Sequence, residues 1–333
     1  MWPAFALVTG LLLVGVVAER DGLFGAAGSA MGDLPLPPAA LFTAALALVA
    51  VTTAVLNLDT SVFFLTPILL HLARSRALDE QPFLYGAVFM SNAASLYLPG
   101  SNLTNLIVLH GEHVSGGTFF VRTWAAALAA TVSTAAVLLV LFHRVLRTER
   151  EVAYERPRVE GAVGPTAVVV ATVLVLVLSA PALPVLFTGV IAAVASRTPW
   201  RRISNAVDAR VLASLFVLAV ALGTLGRHWD GPHALLNSTG RIGSAAIGAI
   251  ASVLVNNLPA SVLLTPQPPH HARALLIGLN LGPNLAVTGS LSAFLWLRAA
   301  RTAGGRPSVR AYSLYGLAVV PVSVAAALSA LAF

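Results

Sequence analysis

The run NLDTSVFFLTP at residues 57–67 recurs, one residue shorter, as NLPASVLLTP at 257–266. Both copies open on Asn-Leu, keep Ser-Val in the middle and close on Leu-Thr-Pro. The offset is 200 residues at the front and 199 at the end. Each run sits inside a longer apolar stretch, 39–73 and 242–266, that is polar only at its centre. A full membrane crossing takes about 20 helical residues at about 1.5 Å each. Each stretch therefore reads as two short apolar arms folded around a polar tip. In the second, Pro266, Pro268 and Pro269 stop the returning arm early. Arms this short predict re-entrant helical hairpins.

The same order continues outward from both tips. Each hairpin is followed by an interrupted apolar stretch, 83–109 carrying SNAASLYLPGSN and 273–298 carrying LNLGPNLAVTGS, with Gly100-Ser101 matching Gly289-Ser290. A continuous closing span comes next, 118–142 and 312–333. Hairpin, broken helix and closing helix thus appear twice, which predicts an all-α polytopic membrane protein built from inverted repeats, the architecture of secondary transporters. Residues 1–150 form the first repeat, 151–163 a cytoplasmic linker and 164–333 the second repeat. Further spans are expected at 2–18, 164–180, 182–196 and 211–226. Three precede the second hairpin and one the first, so the first repeat is expected to lack two N-terminal helices, through a naturally short protein or a start inside a longer reading frame. Residues 2–18 lack the basic start and cleavage site of a signal peptide and read as a retained helix.

Composition supports this class and excludes others. Of the 333 residues 57% are hydrophobic and only 10% charged, with mean hydropathy +0.85. A soluble domain carries about a quarter charged residues. The apolar runs are continuous, unlike those of a transmembrane β-barrel. There is no cysteine, so disulfides and thiolate metal sites are excluded. All 20 basic residues are arginine. With both tips re-entrant, the loops 19–38, 74–82, 143–163, 197–210 and 298–311 share one side and hold 16 arginines, against 4 opposite. That bias marks the cytoplasmic face of a plasma-membrane protein, not a nucleic-acid surface. Trp124, Trp200, Trp229 and Trp296 fall near span ends and are expected to anchor at the membrane interface. His110, Glu112 and His113 read as a solvated outer loop rather than a metal trio, and Asp208 and Asp230 as loop residues.

Breaks inside a bilayer free backbone groups that only protein or a watery cavity can satisfy. Polar side chains at such breaks are the candidate site. The first half supplies Asn57, Thr60, Ser61, Asn92, Ser95, Ser101, Asn102, Thr104 and Asn105; the second supplies Asn256, Asn257, Ser261, Asn280, Asn284, Thr288 and Ser290. Any one of them can merely cap a helix end; as a set at membrane depth they indicate substrate binding. Asp59 is the one carboxylate placed deep in the membrane and is the coupling-ion candidate, able to bind a cation or carry a proton. No HExxH, no G-x-S-x-G and no paired intramembrane aspartates occur, so no enzyme is expected, and no cofactor or metal site.

NLDTSVFFLTP, SNAASLYLPGSNLTNL, NNLPASVLL and LNLGPNLAVTGSLSAFLWL together resemble the arsenical pump membrane protein family of the ion-transporter superfamily. The resemblance spans residues 2–333. It implies a scaffold and a transport part, a homodimer, a soluble ATPase as partner, and export of arsenite or antimonite by proton antiport with alternating access. A sodium/proton antiporter or a dicarboxylate- or citrate-type permease of the same superfamily is the alternative. The chain departs from the family in carrying Asn92, Asn280 and Asn284 where charged residues are expected. At neutral pH the cargo would be uncharged arsenous acid, a small oxyacid that Asn, Ser and Thr can hydrogen-bond, so the absence of thiols does not exclude it.

Overall fold

The computed structural model describes residues 2–109, 115–147, 160–178, 180–206 and 209–331. Every regular element among them is helical. Helices α1 (Trp2–Arg20) and α2 (Leu23–Gly32) lead into the first hairpin, α3 (Pro38–Val55) and α4 (Leu58–Ser75). The first broken helix follows as α5 (Glu80–Ala94) and α6 (Leu103–Val108), then α7 (Gly116–Phe142). After α8 (Val163–Val177), α9 (Ala182–Ala195) and α10 (Trp200–Ala206), the pattern recurs. Helices α11 (Ala209–His228) and α12 (Gly231–Asn237) precede the second hairpin, α13 (Arg241–Val255) and α14 (Asn257–Leu264). The second broken helix is α15 (Ala272–Leu281) and α16 (Leu291–Thr302), and α17 (Val309–Ala330) closes the chain. The breaks are filled by 3-10 turns at Pro99–Ser101, Gly282–Leu285 and Val287–Gly289.

Two helix layers result. The first segments of the broken helices are interior: Pro82 to Ala94 of α5 and Ala274 to Leu281 of α15 are buried throughout. A helix that is apolar on every side belongs inside. Around them α7, α8, α9, α11 and α17 turn large apolar side chains outward, among them Val140, Val177, Phe187, Ile191, Val217 and Leu317. Exposed apolar surface on this scale suits lipid, not water. Among the described residues α3, α7 and α17 are by length and composition able to cross a membrane. This corrects the short-arm expectation for the first hairpin, whose arms α3 and α4 have 18 residues each; the short returning arm holds for the second, where α14 has 8. The chain is a multi-pass membrane protein. Helix α1 lies against α9 because Gly10 and Gly189 bring the backbones together; a Cβ at Gly10 would sit 2.7 Å from the Leu186 backbone.

The described parts of the arginine-rich loops converge at one end of the bundle. There Arg76 donates to the carbonyls of Gly32, Leu34 and Leu36, and Arg74 pairs with Glu80 at 2.7 Å while donating to the Ala303 carbonyl. Arg202 meets Glu19 at 3.5 Å, and the Tyr85 hydroxyl reaches the Ser308 carbonyl. Buried Asp21 accepts from the Gly164 N–H at 2.7 Å and so caps α8. Both ends of the first hairpin lie here. Trp296 also lies toward this end, but it corrects the anchoring expectation. It is 0% exposed, packed on Tyr85 and Tyr312, and its indole N–H donates to the Leu84 carbonyl. Trp124, Trp200 and Trp229 are exposed.

Candidate functional site

Four helix N-termini inside the bundle are capped by residues of the candidate set. Asn57 Oδ1 accepts from the Thr60 N–H at 2.7 Å and Asn256 Oδ1 from the Leu258 N–H at 3.4 Å. Asn102 accepts from the Thr104 N–H and Ser290 from the Ala293 N–H. These caps correct the register of the repeat. Asn57 is equivalent to Asn256, not Asn257, and an offset of 199 then holds through both hairpins. Thr66 Oγ1 bonds the Val62 carbonyl and Thr265 Oγ1 the Ser261 carbonyl at the same offset. The sequence match slips because the first turn uses two residues, Leu56 and Asn57, whereas Asn256 reverses the chain alone at φ 76°.

Each tip is tied to its own break by an equivalent bond. Ser101 Oγ donates to the Ala54 carbonyl at 3.0 Å, and Thr288 Oγ1 to the Val253 carbonyl at 3.3 Å. Both carbonyls lie three residues before the cap. The two breaks are joined across the repeats by amides. Asn280 Oδ1 accepts from Ser95 Oγ and Asn102 Nδ2, both at 2.6 Å, while its Nδ2 donates to Asn105 Oδ1 at 2.9 Å. Asn92 Nδ2 donates to Asn284 Oδ1 at 2.8 Å, and Asn284 Nδ2 to the Phe89 carbonyl. Asn105 Nδ2 holds the Ser95 and Leu98 carbonyls. All six residues are buried. First tip, first break, second break and second tip thus form one hydrogen-bonded row.

Most of the free groups of the candidate set lie at the first tip. Among the described residues Asn57 Nδ2, Thr60 Oγ1 and Thr53 Oγ1 are buried without a partner, as are Thr104 Oγ1 at the start of α6 and Asn92 Oδ1 at the first break. Asp59, in the first turn of α4, is half-buried, and its carboxylate has no hydrogen bond or ion pair among the described residues. Thr60 faces α1 where that helix has Gly15, and a side chain there would collide with it. Buried polar atoms ordinarily find partners, so this group is poised for a ligand or water. At the second tip the Asn256 amide donates to the Thr288 carbonyl, and Ser261 bonds the Leu258 carbonyl. Ser61 bonds the Val49 carbonyl, and Ser290 pairs with Ser292. Asn257 is buried in the first turn of α14 and makes no side-chain hydrogen bond among the described residues.

Thr53 escaped the sequence reading because it sits within the apolar first arm rather than at the tip; the adjacent pair Thr52-Thr53 was the available signal. His110, Glu112, His113 and Asp208 lie outside the described residues, as does 151–159 of the linker.

Comparison with known proteins fits this geometry. A family model described as citrate transporter matches residues 1–289. No curated protein matches the chain. The crystal structure of the YdaH transporter of Alcanivorax borkumensis, described as having an unusual topology, aligns with TM-score 0.56 at 13% identity. That alignment covers 99% of this chain and 84% of the other. The likeness is one of fold.

Proposed function

The chain belongs to the citrate transporter family and is a secondary transporter of the ion-transporter type; from that premise we propose that it carries a small multivalent carboxylate together with a proton or cation taken up at Asp59. The observation that carries the reading is the first hairpin tip, where a partnerless carboxylate stands beside unsatisfied Asn57 and Thr60. Asn57 Nδ2 donates to a carboxylate oxygen, and the hydroxyls of Thr60 and Thr104 adapt as donor or acceptor. An ionised Asp59 repels an anionic cargo. Neutralisation by a proton or a bound cation removes the repulsion, which makes cargo binding depend on the coupling ion. The amide row gives the tip a fixed base, because Asn280 and Asn284 tie the two breaks without any group that titrates.

Arsenite or antimonite export is the second reading. It is favoured by the absence of any lysine from the chain and of any arginine from the hydrogen-bonded row, which leaves the site without a fixed positive charge and suits an uncharged oxyacid. One experiment separates the two. Proteoliposomes containing the full chain are offered labelled citrate, smaller dicarboxylates and arsenite, with and without imposed proton, sodium and magnesium gradients. Gradient-driven carboxylate accumulation supports the first reading. Arsenite movement without carboxylate movement replaces it with the second. Transport of neither removes both.

A further inference from the structure

A cavity of about 700 Å³ opens at the end of the bundle opposite the arginine-rich loops. That volume falls within the range of about 300–1,000 Å³ that buries a drug-sized ligand. Its walls include Trp2 of α1, Leu106 of α6, Phe119 of α7, Leu183 of α9 and Pro266 beyond α14, with Arg227 of α11 at its edge. We propose that this cavity binds a phospholipid of the surrounding bilayer, with acyl chain against the apolar wall and an anionic headgroup on Arg227.

Three observations commit the site to that occupant. Asp59, Asn57 and Thr60 do not line the cavity, so it is separate from the partnerless polar groups. Asn105 and Thr265 do line it, but their side chains already bond the carbonyls of Ser95, Leu98 and Ser261. A polar cargo would find few partners there, whereas an acyl chain needs none. Arg227 is exposed, gives one N–H to Thr224 Oγ1 at 3.2 Å, and has no carboxylate partner among the described residues. It offers its remaining donors to a phosphate, the bidentate match of guanidinium chemistry. Finally, the cavity is walled by helices that turn apolar side chains outward. The first turn of α9 forms part of its wall, and that helix continues outward-facing through Phe187, Ile191 and Val194. Helix α11 supplies Gly223 and Arg227 and exposes Val217, Val220 and Leu225.

The test is native mass spectrometry of the full chain equilibrated with equal amounts of phosphatidylglycerol and phosphatidylcholine. The expected result is a retained lipid adduct dominated by phosphatidylglycerol. Arg227→Gln should cut that preference about fivefold, the order one basic residue contributes at an anionic surface. Leu106→Trp, which fills the cavity, should remove both adducts, while Leu317→Trp on the outer face of α17 should leave them unchanged. Equal retention of the two lipids by the wild type overturns the proposal, as does a full adduct in Leu106→Trp. A lipid-free dimer assigns the face to a second copy and overturns it too. Should Leu106→Trp fail to fold, the wild type is photo-cross-linked with phosphatidylglycerol carrying a diazirine at its acyl terminus. Cross-links on the Trp2–Leu7 and Leu183 peptides support the site; cross-links confined to other outward-facing helices overturn it.

Discussion

The two hairpin tips share one backbone plan and have opposite chemistry. Each ends in an asparagine cap, bonds its break through one hydroxyl and folds a threonine back on its own helix. At the second tip those bonds satisfy the asparagine, and the following turn, Leu258-Pro259-Ala260, carries no charge. At the first tip the asparagine amide, two threonine hydroxyls and a carboxylate remain open. The backbones differ in the same sense. Asn256 occupies φ 76° and ψ 146°, a positive-φ conformation outside the left-handed helical well, whereas Asn57 is extended at φ −165°, which any residue adopts. Both side-chain groups of Asn256 are thus used within the protein, whereas Asn57 keeps its amide donor free. The repeat supplies a symmetric frame, and apart from Asn257 the open polar groups of the tips and breaks gather on its first half.

The largest expected effect comes from removing the charge that only one tip has. Asp59→Asn should insert and fold, yet lose all gradient-driven accumulation while retaining cargo exchange. Leu258→Asn, at the equivalent position of the second tip, should leave both intact. Accumulation and counterflow in the same proteoliposomes measure this; accumulation by Asp59→Asn at wild-type level would reduce Asp59 to a helix-end charge.

The frame can be broken independently of either tip. Asn280→Leu strips partners from Ser95, Asn102 and Asn105, and three interhelical bonds at membrane values of about 0.6–1.7 kcal/mol each put the loss at about 2–5 kcal/mol. Asn284→Leu removes fewer bonds and should cost less. Thermal unfolding of the purified variants gives the ranking, and equal melting points would mean the row contributes nothing to cohesion.

A smaller pair of effects sharpens the tip comparison. Asn256→Ala loses a cap, worth about 1 kcal/mol, together with the amide bond to the Thr288 carbonyl, so it should lower stability. Asn57→Ala loses a cap but also removes a buried, unpartnered donor whose burial costs about 1–3 kcal/mol. The two changes offset, and stability should stay nearly constant while cargo affinity falls. Reversal of that pattern, with Asn57→Ala the less stable and fully active, would refute the division of roles. Smallest is Thr288→Val, which loses one exposed hydroxyl bond and should shift stability by less than about 1 kcal/mol. Ser101→Val, its buried counterpart, should shift it more.

Much of the frame was legible in the sequence, because bilayer physics is written in one dimension. Apolar runs of a given length, proline stops and the arginine count depend on composition along the chain, and they identified the hairpins, the breaks and the loops that share an end. Asn92, Ser95, Asn102, Asn105, Asn280 and Asn284 were legible as one set for the same reason, since polar residues stand out against an apolar background. Which of them bond to each other was not. Asn280 meets Asn102 across a separation of 178 residues, and nothing local distinguishes an asparagine that joins two helices from one that faces a cavity. The repeat register was misread by one residue at the caps, because identity matching cannot see that Asn256 turns the chain alone. The burial of Trp296 and the open state of Asn57, Thr60 and Thr53 were likewise decided in three dimensions. Whether a polar atom has a partner depends on which helix the packing brings beside it, a property of neighbours distant in the chain.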